Sequence, residues 1–188
     1  MKDMSLDLRS QTLALVNANQ PAGGAPTQVG ALISAWLGSL DEEDLAGTSP
    51  DSLAPVLWDG FTQAAQRRGQ GCQIAQLRYA DGRGGVATAL LILNDDMPYL
   101  VDSFVMAMRK ERVTAAGVMN AVLPVRRDAA GVAVAVCEAG DPLESYVLCL
   151  LGEELDDAEL GSLVAHLQMV ASDAAVVRPV LSSRRGIV

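Results

Sequence analysis

Apolar residues recur along this chain with two different periods, and the change of period divides it. Val29, Leu32, Ile33, Trp36, Leu37 and Leu40 lie one, three or four positions apart and form one stripe of a helix. Leu53, Val56, Leu57, Phe61 and Ala64 repeat the pattern behind Ser49 and Pro50, a capping residue followed by a proline suited to the first helical position. Residues 5–17 fit a helix with poorly phased apolar positions, and the Pro-, Gly- and Ala-rich stretch 20–27 reads as a loop. Together these predict a helical segment over residues 1–68.

From Gly69 onward strand-like spacing takes over. Residues 74–79 read as a strand, 81–85 as a turn, and 87–93 as an unbroken apolar run of the length of a strand buried on both faces. After a break at 94–98, Leu100, Val101, Phe104, Val105 and Met108 return to helical spacing up to about Arg112. Residues 118–125 read as a strand in which Pro124, having no N–H to donate, marks an edge or a bulge. Residues 126–131 form a hairpin turn, and Val132, Val134 and Val136 share one face of the returning strand. A turn at 140–142 leads to a buried-type strand at 146–151. Asp156 or Asp157 can cap a last helix whose stripe is Leu160, Leu163, Val164, Leu167 and Val170. Residues 175–181 are read as a closing strand. This order predicts an α+β fold over residues 69–188, a ferredoxin-like βαββαβ sandwich with a mostly antiparallel sheet and two helices on one face. The stripes of the upstream helices need an apolar partner, and that sheet is the only large one in the chain.

Composition narrows the function. Of 188 residues, 23 are acidic and 14 basic, a formal charge of −9, so a phosphate-binding surface is not expected and neither is a nucleic-acid partner. The short basic groups at 109–112, 126–127 and 184–185 read as solvated ends of elements. No apolar stretch is long enough for a membrane span and the N-terminus has no signal-like run, which makes the cytoplasm the expected compartment. Cys72, Cys137 and Cys149 are scattered and a single histidine, His166, is present, so no zinc-like spacing exists. Cys137 and Cys149 lie in apolar runs, where a thiol acts as a small core residue. His166 falls off the apolar stripe of the last helix and is expected to face solvent. Met97, Met106, Met108 and Met119 are expected to fill core. Residues 82–87 fit G-x-G-x-x-A, but these glycines lead into a strand, where a dinucleotide site needs them to open a helix. A hairpin turn is the reading that fits.

The stretch Asn94-Asp95-Asp96-Met97-Pro98-Tyr99-Leu100-Val101-Asp102-Ser103 resembles a signature of the large bacterial NAD-specific glutamate dehydrogenases, whose long N-terminal region contains ACT-type modules. Residues 123–131 are similar to that family's hairpin, Glu144-Ser145-Tyr146 to the start of a later strand, and residues 49–53 to a helix start. The resemblance runs from about residue 36 to 180. It implies an N-terminal ACT-like regulatory and assembly region with no catalytic residues and no cofactor of its own. The parent enzyme would use NAD to deaminate glutamate oxidatively to 2-oxoglutarate. Implied partners are the rest of the dehydrogenase chain, further copies in a homo-oligomer, and an amino-acid effector. The alternative is an architectural oligomerisation domain that binds no small molecule.

The candidate ligand residues are Asn94, Asp95, Asp96, Tyr99, Asp102 and Ser103. Two roles compete for the acids: one of Asp95 and Asp96 caps the helix starting near Pro98, or the three residues 94–96 hold the ammonium group of an amino acid. The cap ranks first, and the roles are compatible. Asp102 and Ser103 read as exposed helix residues, with a local hydrogen bond between loop and helix. Two departures from the family's pattern stand out, Ala121 in place of a frequent histidine and Tyr146 in place of a tryptophan, and the family's loop itself differs from amino-acid-binding ACT domains, which put glycine where Tyr99 stands. A side chain at Tyr99 is expected to fill part of the usual pocket.

Overall fold

The apolar run at 87–93 becomes an inner strand, because only a sheet covered on both faces can bury every residue of it. In the computed structural model, which describes residues 4–18, 28–40, 49–67, 71–82, 84–136 and 139–182, it lies within β2 (Val86–Asp95). The other strands are β1 (Gln73–Ala80), β3 (Ala115–Arg127), β4 (Ala133–Val136) and β5 (Leu143–Leu151). They form one sheet of order β1-β2-β5-β3-β4, antiparallel throughout.

Alternation along β2 sends Ala87, Ala89, Leu91 and Leu93 to a front face and Leu90 and Ile92 to a back face. The front is covered by α1 (Met4–Ala18), α2 (Gln28–Gly38) and α3 (Pro50–Ala64), and the back by α4 (Leu100–Lys110) and α5 (Asp157–Ser182). The stripes read from the sequence are the buried ones: Leu32, Ile33, Trp36, Leu37 and Leu40 on α2 and just beyond it, and Leu53, Val56, Leu57, Phe61 and Ala64 on α3. Trp36 is anchored further, its indole Nε1 donating to the Tyr146 carbonyl at 2.9 Å, and Gly60 leaves room for its ring. Ser49 caps α3, accepting from the Ser52 N–H at 3.2 Å. Asp156 caps α5 by accepting from the N–H groups of Ala158 and Glu159, while Glu159 accepts in return from Asp156 N–H.

The ferredoxin-like α+β arrangement is present, with β5 lying between β2 and β3 and the helices α4 and α5 on one face. Its closing strand is drawn from an unexpected place. Residues 175–181 continue α5 as helix, and β1, upstream of the first core strand, occupies the edge beside β2. With that edge already paired, a closing strand at the chain's far end has no partner.

The glycines at 82–85 make the β1–β2 hairpin turn: Gly82 and Gly84 have φ of 73° and 92°, and Asp81 Oδ1 accepts from Gly85 N–H at 2.8 Å. Pro124 sits where its missing donor does no harm. The neighbouring Val125 N–H points to Pro142 on the β5 side, so Pro124 faces the other side, one residue short of the β4 pairing. The outer edge of the sheet is covered at the start of β4, where Arg67 N–H donates to the Gly131 carbonyl and Ala133 N–H to that of Ala65.

Candidate functional site

The resemblance is strongest at the junction of β2 and α4. Asn94 and Asp95 end β2, paired across the ladder with Ser145 and Glu144, and Asp96 N–H extends the ladder to the Leu143 carbonyl at 3.0 Å. Met97 then drops into the back-face core. Tyr99 is the N-cap residue of α4, at φ 62° and ψ 12°, and no side chain caps the helix. The expected cap by Asp95 or Asp96 is therefore not made. The left-handed turn at Tyr99 delays the helix to Leu100, too far along for either carboxylate to take the capping position. Ser103 makes the loop-to-helix bond, its Oγ donating to the Tyr99 carbonyl at 2.8 Å.

Beneath this turn lies a half-open hollow of about 190 Å³, walled by Asp96, Tyr99 and Asp102 on one side and by Asn120, Val122 and Ser145 of the sheet on the other. Of the six candidate residues, three line it. Asn94 is buried in the sheet, Asp95 turns to the front face, and Ser103 is engaged with Tyr99. Tyr99 is 76% exposed, so its ring stands at the rim and does not fill the hollow. Asn120 Oδ1 is buried and has no hydrogen-bond partner among the described residues. The hollow thus offers two carboxylates and a helix start without a side-chain cap.

Across the sheet from the hollow is a buried ion network. Glu144 accepts from Arg127 Nε and Nη2 at 2.9 and 2.8 Å and from the Tyr146 hydroxyl at 2.7 Å. Arg67 Nη1 lies 2.9 Å from Asp95 Oδ1 and 3.3 Å from Glu144 Oε1. Arg127 also donates to the carbonyls of Ala64, Ala65 and Gly131, which places its charge at the C-terminal end of the α3 dipole. Burial opposes ionisation of Glu144, but the hydrogen bonds from Arg127 and Tyr146 outweigh it and hold the carboxyl below the usual glutamate range. Burial, then the Glu144 carboxylate, pushes the Tyr146 phenol well above its ordinary value. Arg127 was expected to be a solvated strand end; its side chain is 12% exposed because the hairpin folds it back over the end of α3.

Arg127, Glu144 and Tyr146 lie in the hairpin and strand-start segments that carried the resemblance, and the comparison with family models agrees with it. Residues 32–167 match the model of the glutamate dehydrogenase ACT1 domain. The chain belongs to that family. A comparison with curated proteins returns no match. In this ACT1 domain the Tyr146 hydroxyl completes the hydrogen-bond shell of Glu144.

Elsewhere the side chains are structural. His166 is half-buried between α4 and α5, contrary to the solvent-facing expectation, because Glu111 Oε1 holds its Nδ1 at 2.7 Å. Met97, Met108 and Met119 fill core, whereas Met106 is exposed beside the groove between α4 and α5. Cys149 is buried in β5, its thiol pushed up to about 12 by burial, and burial likewise raises Cys72 to about 11. Cys137 and the basic pair at 184–185 lie outside the described residues. Among the described residues no group of His, Cys, Asp and Glu could hold a metal, and no helix is long and apolar enough to cross a membrane.

Proposed function

We propose that this ACT1 domain is the regulatory and assembly part of a cytoplasmic, homo-oligomeric, NAD-dependent glutamate dehydrogenase. Oxidative deamination of glutamate to 2-oxoglutarate, and the NAD site, lie elsewhere in that enzyme. An amino-acid effector would occupy the hollow at the β2–α4 junction. Its ammonium group would face Asp96 and Asp102, and its carboxylate the uncapped N-terminal turn of α4, where the helix dipole favours an anion. The observation that carries this reading is the meeting of carboxylates and helix start in one concave place, within a chain of this family.

The test is calorimetric titration of the domain with each of the common amino acids, repeated on Asp96→Asn. Binding to the parent that weakens in the variant supports an ammonium site. No heat and no rise in melting temperature with any amino acid would leave the architectural reading. Purified domain with glutamate and NAD is expected to produce no NADH absorbance above a blank.

A further inference from the structure

We propose that Arg67 is a positioning residue for the hollow, setting from the front face of the sheet the placement of Asp96 and the first turn of α4 on the back. The clue is the register. Asp95 and Glu144 stand directly opposite each other on β2 and β5, and like charges so placed repel. Arg67 Nη1 lies between them, within 2.9 Å of one and 3.3 Å of the other. Glu144 has Arg127 as well, whereas Asp95 pairs with Arg67.

Arg67 itself is held firmly. Its side chain is 4% exposed, its Nη2 donates to the Gly71 carbonyl at 2.8 Å, and its backbone N–H donates to Gly131. Asp95, by contrast, is 53% exposed at the rim of the sheet. The fixed cation therefore locates the movable acid. The residue after Asp95 is Asp96, which walls the hollow, and the residue after Glu144 is Ser145, which walls it from the other side. Both faces thus share one pair of strand ends, and separation of those ends by unscreened carboxylates would widen the hollow and loosen the start of α4. Arg67 follows directly on the segment after α3, so the same contact ties the N-terminal helices to the hollow. The significance of this link rests on the hollow being the effector site; its test needs no ligand.

The experiment is hydrogen exchange read by mass spectrometry on the whole chain, comparing parent, Arg67→Met, and Arg67→Met combined with Asp95→Asn. In Arg67→Met, amides of residues 96–103 should exchange about tenfold faster or more, while those of α5 beyond its first turn stay unchanged. Neutralising Asp95 in the double variant should restore most of the protection, which filling or emptying of core space would not do. Unchanged exchange at 96–103, uniform acceleration across the chain, or no rescue in the double variant would each overturn the proposal. Should Arg67→Met fail to fold, a folded double variant supports the repulsion argument, and an unfolded one shows Arg67 to be a core ion only. A hollow that binds no amino acid in calorimetry leaves this exchange pattern intact, so the two readings fail separately.

Discussion

Both faces of the sheet are covered by helices, yet different forces hold the two covers. On the front, apolar packing is supplemented by directional bonds: Trp36 to the Tyr146 carbonyl, Arg127 to Glu144 and the end of α3, and Arg67 to Asp95. On the back, Leu90, Ile92, Phe104, Val147, Cys149, Leu163 and Leu167 meet as hydrocarbon and thiol, with a single neutral bond from Leu155 N–H to Thr88 Oγ1 among the described buried contacts and Glu111 meeting His166 nearer the surface. A directional network is satisfied by one geometry, whereas apolar surfaces repack with little penalty when volume is kept. The contrast teaches where the domain is rigid and where it can yield. The hollow opens on the yielding side, within reach of the rigid one.

The largest effect should follow removal of a front-face ion. Arg127→Met leaves the Glu144 carboxylate buried without its main partner, and urea unfolding should show a loss of about 3–5 kcal/mol. Replacing Glu144 by methionine as well should recover much of that. A single-variant loss under about 1 kcal/mol would mean that the network does not hold the front cover.

Acid should separate the faces next. Because the folded state holds Glu144 below the ordinary glutamate range, its contribution is present above that range. It is lost as the pH falls through the lowered folded value. Glu144→Gln should therefore be less stable near neutrality and should lose less further stability on acidification. The checks are melting temperatures from pH 7 downward, and parallel curves for the two proteins would contradict the assignment.

Smaller changes are expected at the hollow. Tyr99→Gly removes the strain of a left-handed tyrosine and gains about 0.5–1 kcal/mol after the entropy cost of glycine. Asp96→Ala should shift stability by no more than about 0.5 kcal/mol, since no helix cap is lost. A loss near 1 kcal/mol in urea titrations would restore the capping role.

Periodicity made most of the fold legible, because the stripes on α2, α3 and α4 and the run in β2 are the residues that the core buries. It failed where tertiary context decides. Val176, Val177 and Val180 suit a strand as well as a helix, and the prior pairing of β1 with β2 settles the matter. The missed cap has a similar origin, for no propensity rule puts a tyrosine at positive φ, and that one residue displaces the start of α4. Half of the hollow was legible as an acidic loop. Its other wall, Asn120, Val122 and Ser145, comes from strands distant in sequence and carried no signal beyond the Glu-Ser-Tyr segment. The ion network was hidden because a lone Arg-Arg pair looks like a solvated end until its acid, 17 residues on, is brought beside it.

The hairpin origin of the edge strand also bears on how quickly this chain can find its fold. Joined to β2 by a short turn, β1 forms its pairing with almost no loop to close, where a closing strand after the last helix would have had to span the domain. The slow event is left to β5, which must insert between β2 and β3 and match Ala89 to Leu150 across 61 residues of chain. Truncations of Leu148 in β5 should therefore retard refolding in stopped-flow measurements, whereas truncations of Leu77 in β1 should act mainly by speeding unfolding.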